Sequence, residues 1–433
     1  MTSLLPLLAL SILLAGCGDS ISQHAAATIS TQPADIEGIT HGGLQSVGNA
    51  HIYLFAANNI GYRAPSISLI KPSAPAAVTD TRGTYILTDA SGNFSLSHTN
   101  YSCSDGQLLY LLSTTGNPGL AGESNNDAIS LIFVLGPCPS DGNIGEITRF
   151  IDINEVSTVA GIYALAGFMS DITRVSSSST QLSQRGLANA FAAVNNLVDI
   201  TTSQALAQNL HGNGVIPQAK INALANLIVP CINSAGSSTP HSLQQRPRQQ
   251  RIRPADTATA VLNIAHNPAA NVGALFSLIG PTPIYQPPLT PRPNDWTVAL
   301  IFYAPTTSGP YFPAIDSAGD LWVPAYASNT LTEFDPLGNI LSSQSGFTGG
   351  GLNQPFSVAI DASDNPWVVN FAPIGASTVS HFSSSGTPII STPYPCGAAC
   401  FFVAFDSSQN AWISGSTRTL TLSPNGTTVA QSP

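Results

Sequence analysis

The chain of 433 residues has room for two or three domains, and an apolar share of 43% is enough to give each a core. Charged residues supply only 8%, against about 25% in ordinary globular chains, which excludes a coiled coil and a charge-driven disordered chain. With 13 basic against 23 acidic side chains the net charge is −10, so no field attracts phosphate backbones and no nucleic-acid partner is expected. The polar positions are filled instead by Ser, Thr and Asn, with 36 Gly and 33 Pro, a composition suited to an exported protein built from short strands and turns.

Leu4 to Leu14 is an apolar run of 11 residues, too short to cross a bilayer at about 1.5 Å per residue but of signal-peptide length. It ends in Leu14-Ala15-Gly16-Cys17. This resembles the bacterial lipobox, in which small residues expose the bond before a lipid-bearing cysteine to its peptidase. The n-region Met1-Thr2-Ser3 departs from the pattern in having no Lys or Arg. The resemblance implies a signal peptide over 1–16, lipid attachment at Cys17 and a hold on the membrane by that anchor only. The alternative is an ordinary cleaved signal with an incidental cysteine. Because Gly18 rather than Asp follows Cys17, the expected location is the bacterial cell envelope, at the outer membrane or cell surface. Residues 17–33 form a small-residue tether.

Five cysteines follow Cys17, and an oxidising exterior favours pairing them. Cys103 and Cys138 fall in one β-rich segment, and Cys396 and Cys400 enclose Gly-Ala-Ala, so these are the expected pairs, with Cys231 left free. The eight histidines stand singly along the chain, which gives no ligand spacing for a metal. No cofactor is expected.

Residues 34–145 read as a β-sandwich. Ile36-Glu37-Gly38-Ile39-Thr40 leads through Gly42-Gly43 to Gly48-Asn49-Ala50-His51-Ile52-Tyr53-Leu54, which predicts strand, turn and strand. Thr88-Asp89-Ala90-Ser91-Gly92-Asn93-Phe94-Ser95-Leu96 sets an Asp and Gly turn before another alternating strand. Together they resemble the prealbumin-like domains of carboxypeptidase regulatory and collagen-adhesin B type, which implies a spacer or stalk.

Over 150–280 the pattern turns helical. Apolar residues at 156, 159, 160, 163, 164 and 167 follow the 3.6-residue period behind Asn154 as cap and Glu155 in the first turn. Leu187, Phe191, Val194 and Val198 form a second stripe. Ile221, Leu224, Ala225 and Ile228 form a third, predicted to stop at Pro230. Asp256 caps a fourth, broken at Asn267-Pro268 and resumed from Val272 to Ile279. This predicts a small bundle of four or five helices. Asn195, Asn196, Asn222 and Asn226 are read as exposed or locally bonded, with a buried amide network as the alternative. Arg246, Arg248, Arg251 and Arg253 crowd a loop with no interleaved aromatics and are read as solvated rather than as an anion site. Residues 281–295 are proline-rich and predict a semi-rigid linker.

Residues 296–433 carry a repeat. Ala314-Ile315-Asp316, Ala359-Ile360-Asp361 and Ala404-Phe405-Asp406 align, and the aspartates are spaced by 45, as are Trp322, Trp367 and Trp412. That period, with four strand-sized pieces per unit, is the mark of a β-propeller blade. The aspartates are expected to hold tight turns rather than calcium, and each Trp to pack between neighbouring units. Phe334, Phe382 and Leu422 precede turns at Gly338, Gly386 and Gly426. Trp296 to Tyr303 offers one further outer strand.

The repeats resemble the NHL family and the related streptogramin lyase propeller. With Asn294-Asp295-Trp296-Thr297 and Gly346-Phe347-Thr348-Gly349-Gly350-Gly351-Leu352, most of the chain resembles secreted NHL-repeat proteins of acidobacterial type. The fold expected is therefore multidomain α+β: a β-sandwich, a small helical bundle and an incomplete NHL-type propeller of about three blades, fewer than the roughly four that close a ring. A lyase would need several His and Glu residues converging on magnesium in the channel, yet from residue 300 onward there is one His, His381, and one Glu, Glu333. Both are read as solvent-facing outer-strand positions. No catalytic residue is assigned. The function expected is a non-catalytic binding or scaffold lipoprotein for a protein or polysaccharide partner, with a streptogramin-lyase-like enzyme as the alternative.

Overall fold

The computed structural model describes residues 36–120, 124–234, 254–305, 307–372 and 376–432. The signal segment, Cys17, the tether and Arg246, Arg248, Arg251 and Arg253 lie outside the described residues. The chain is mostly sheet with few helices, and the sheets are small and open.

The alternation read at the start of the chain becomes the strand Ile36–Gly42, with Ile36, Gly38, Thr40 and Gly42 on the inner side. It is antiparallel to Asn93–Leu96 and parallel to Phe150–Ile153. The turn before Asn93 is set by Asp89, whose Oδ1 accepts the N–H groups of Ser91 and Asn93 while Gly92 takes φ 80°. His51–Ala56 belongs to a second sheet, between Thr84–Leu87 and Leu108–Thr114, with Ser130–Pro137 beyond. Leu108–Thr114 and Ser130–Pro137 are almost wholly buried, which is why they read as apolar runs rather than alternations. Cys103 and Cys138 are bonded, Cα–Cα 6.2 Å.

Among the described residues five α-helices follow: α1 (Glu155–Leu165), α2 (Gln181–Ala193), α3 (Gln218–Ile232), α4 (Thr257–His266) and α5 (Val272–Phe276). Asn154 caps α1 in a capping box with Ser157, and Asp256 caps α4 through the Thr259 N–H. α1 is central, packing on α2, α3, α4 and the strand Ser130–Pro137. Gly161 lets it approach that strand, since a Cβ there would lie 2.9 Å from the Val134 side chain. α3 does not stop at Pro230 but runs through it to Ile232. Burial of Val229, Cys231 and Ile232 in the core holds the last turn despite the missing N–H.

One continuous core joins the two sheets, the helices and Trp296. The proline-rich stretch lies against this core: Asn226 Oδ1 accepts the N–H groups of Ile284 and Tyr285, and its Nδ2 donates to the Tyr285 carbonyl. Asn222 donates to the Pro287 carbonyl. Asn196, Asn222 and Asn226 are thus buried and clamp distant backbone, while Asn195 is exposed. The reading of all four as exposed or locally bonded is corrected for three, because helix periodicity cannot show what backbone will lie across a helix face.

The repeats form three antiparallel sheets. The first contains Ala314–Ile315, Leu321–Ala325 and Thr330–Phe334, and the second Pro355–Ile360, Pro366–Asn370, Ser377–His381 and Tyr394–Gly397. The third contains Cys400–Phe405, Ala411–Gly415, Thr419–Leu422 and Thr428–Gln431. Trp322, Leu331, Val358, Val368 and Phe382 fill the space between the first two, and Trp367, Val379, Val403 and Ile413 the space between the last two. Cys396 and Cys400 are bonded, and Cys231 is free and buried. The expected outer strand, Ile301–Phe302, pairs instead with Gly214–Val215 of the preceding core. Asn196 and Asn213 donate to the carbonyls of Leu337 and Gly338 at 3.0 and 2.7 Å, fastening the first sheet to that core.

Candidate functional site

Each repeat turn is built on its aspartate. Asp316 Oδ1 accepts the N–H groups of Ala318 and Asp320, and Oδ2 accepts the Trp322 indole N–H at 3.0 Å. Asp361 and Asp406 repeat this with Trp367 at 3.2 Å and Trp412 at 2.9 Å. In those two units Oδ2 also accepts an amide, from Asn365 at 3.2 Å and Asn410 at 3.0 Å. The first unit has Asp320 at that place, which cannot donate.

The residue opposite each Trp on the neighbouring strand is Glu333, His381 or Thr421. Glu333 and His381 do occupy matching places, but they are buried, 7% and 5% exposed, not solvent-facing. The correction has a plain cause. Each lies opposite a fully buried Trp on the paired strand, on a covered side of its sheet, and alternation within one strand cannot say which side another part of the chain will cover. His381 packs on Trp367 with ring centroids 4.1 Å apart. Burial depresses its pKa, and Asp361, 3.7 Å away, offsets only part of that. Glu333, Asp316 and Asp320 converge, each offering a carboxylate oxygen within 4.8 Å of the others. Burial, then Asp320 and Asp316, push the Glu333 carboxyl up to about 7.

On the inner strands lies an aromatic ladder. Tyr311 and Phe356 have centroids 4.9 Å apart, Phe312 and Phe402 4.9 Å, and Phe312 and Phe356 5.1 Å. Phe371 bridges Phe356 and Phe401, 5.4 Å from each. Tyr311, Phe312 and Phe402 remain 45%, 46% and 46% exposed. These residues were absent from the sequence reading, although Tyr311, Phe356 and Phe401 share the 45-residue spacing of the aspartates. Trp412 is also 47% exposed, unlike the fully buried Trp322 and Trp367, because no further sheet lies on it among the described residues.

A second polar group lies inside the larger core. Glu155 is fully buried, accepting the Gly43 N–H at 2.8 Å and the Tyr285 hydroxyl, and His41 Nε2 lies 2.9 Å from Asp152. Burial pushes the Glu155 carboxyl up to about 7 against the opposing hydrogen bond from Tyr285. This group ties the first strand, α1 and the proline-rich stretch together. Among the described residues no helix is long and apolar enough to cross a membrane.

No family model and no curated protein matches the chain. Among solved structures it is similar to a streptogramin B lyase, at 16% identity over 30% of this chain and 42% of that one, with a TM-score of 0.25. A virginiamycin B lyase from Staphylococcus aureus gives 13% identity over 30% and 42% of the two chains, with a TM-score of 0.25. The PQQ-bound aldose sugar dehydrogenase from Streptomyces coelicolor gives 15% identity over 28% and 46%, with a TM-score of 0.20. The chain spans less than half the length of each of these structures.

Proposed function

We propose that the chain is a non-catalytic binding lipoprotein of the bacterial envelope, in which an incomplete NHL-type propeller presents an aromatic face to a polymer. The observation that carries this reading is the ladder Tyr311, Phe312, Phe356 and Phe402, with three of the rings close to half exposed. Aromatic side chains bring large contact area at low conformational cost, and a contiguous exposed cluster of them marks an interaction surface. The partner is a protein or a polysaccharide. Anchoring rests on Leu14-Ala15-Gly16-Cys17, and two disulfides accord with an oxidising compartment.

The test screens the full chain against envelope polysaccharides and envelope proteins, alongside Tyr311→Ser/Phe402→Ser. We expect a ligand whose affinity falls at least about tenfold in the variant while the melting temperature moves little, since both rings are half in solvent. Retained affinity in the variant rejects the ladder as the binding face. Magnesium-dependent opening of lactone depsipeptides that disappears in His381→Ala rejects the non-catalytic reading.

A further inference from the structure

The three repeat units serve as internal controls for one another. At the position four residues after the turn aspartate, Asn365 and Asn410 each place an amide on the aspartate Oδ2, whereas the first unit places a carboxylate, Asp320. At the position opposite the Trp, His381 and Thr421 give way to Glu333. Two departures in one unit therefore replace a corner that holds a single, internally bonded acid with one that holds three.

The neighbouring acids are already occupied. Asp335 accepts from Leu337, from Asn339 N–H and from the Asn339 amide, and Asp364 accepts from the Ser317 N–H and hydroxyl. Asp316 is bonded likewise, by the Ala318, Asp320 and Trp322 N–H groups, so Glu333 differs from all three: the residue is 7% exposed, its carboxylate accepts no hydrogen bond among the described residues, and it faces Asp316 and Asp320. A buried carboxylate without a donor is costly unless something neutralises it. Arg185 on α2 acts on Asp320 from a distance but forms no ion pair with it among the described residues.

We propose that Asp316, Asp320 and Glu333 hold a divalent cation of the calcium class. Three oxygens within 4.8 Å of one another suit an ion with ligand distances of about 2.3–2.6 Å. Magnesium sheds its water reluctantly and is usually held by one or two carboxylates rather than three. An all-oxygen donor set selects hard cations over zinc or copper. The two partly exposed aspartates leave a path for entry and for water to complete the shell. Three protein ligands place the dissociation constant on the order of 10⁻⁴–10⁻³ M, the range of extracellular calcium modules. The Asp316–Asp320 turn also receives the Asn189 amide of α2 at the Ala318 carbonyl, so the ion would brace the join between the first sheet and the helices.

Terbium is the probe, because Trp322 lies 3.0 Å from Asp316 Oδ2 and can sensitise a lanthanide bound there. The full chain, purified in chelator, should show saturable terbium emission on tryptophan excitation that calcium displaces, and calcium should raise its melting temperature. The double variant Asp320→Asn/Glu333→Thr restores residues found in the third unit and so should fold. Its emission should fall at least tenfold and its melting temperature should ignore calcium. Should it fail to fold, Glu333→Gln is read in the same way. Absence of saturable, calcium-displaced emission in the wild type overturns the proposal, as does an equal calcium response in the folded variant.

Discussion

Glu155 shows how far a single residue's role can depart from its place in a pattern. In sequence it is a first-turn acid of the kind that favours a helix N-terminus. In the fold it is fully buried and ties Gly43 to Tyr285. Its carboxyl is pushed from an ordinary 4.5 up to about 7. A raised carboxyl pKa contributes stability that is complete below the unfolded value and is lost as pH rises through the folded one. Relative to Glu155→Gln, the wild type should therefore lose roughly 1–3 kcal/mol between pH 4.5 and just above 7, with no further divergence below 4.5. Denaturant unfolding at a series of pH values checks this, and a flat difference between the two proteins would contradict it. Glu333 titrates in the same direction in chelator, and bound calcium would reverse it by favouring the carboxylate.

At the scale of the repeated element, the aspartate, the tryptophan and the turn glycine form one device. The indole N–H closes onto the aspartate within its own unit, while the rings of Trp322 and Trp367 pack toward the next sheet. In the next hairpin of each unit, at the same end of the sheet, Gly338, Gly386 and Gly426 lie beneath Phe302, Phe347 and Tyr394, and all three glycines have positive φ. A side chain there would meet both an aromatic ring and backbone strain. The neighbour-dependent part is measurable. Trp367→Ala should cost about 3–5 kcal/mol, because the ring is fully buried between the second and third sheets. Trp412→Ala should cost less than about half of that, since its ring is 47% exposed. Equal costs in equilibrium unfolding would mean that the tryptophans work within their units and not between them.

For the whole molecule, the cores differ in size. One core runs from Ile36 to Trp296, whereas the repeat sheets share two small clusters. Apolar burial drives folding in proportion to area. Amide hydrogen exchange should accordingly be slowest in Leu108–Thr114 and Ser130–Pro137 and faster in Pro366–Asn370 and Ala411–Gly415. Uniform protection across both parts would show that the asparagine clamps couple them into a single cooperative unit. Asn196 and Asn213 are the residues to remove in that case.

Local chemistry made much of this legible in the sequence. The caps at Asn154 and Asp256, the turn at Asp89, the 45-residue spacing and the pairing of Cys103 with Cys138 and Cys396 with Cys400 depend on neighbours close in the chain or on a short list of possible partners. The tertiary structure alone decided which faces are covered. Tertiary packing buried Glu333 and His381, laid the proline-rich stretch across Asn222 and Asn226, and carried α3 through Pro230. It also gathered Asp316, Asp320 and Glu333 at one corner and Tyr311, Phe312, Phe356 and Phe402 on one face. Periodicity reports the side of an element a residue occupies, but burial and convergence depend on what another part of the chain brings to that side.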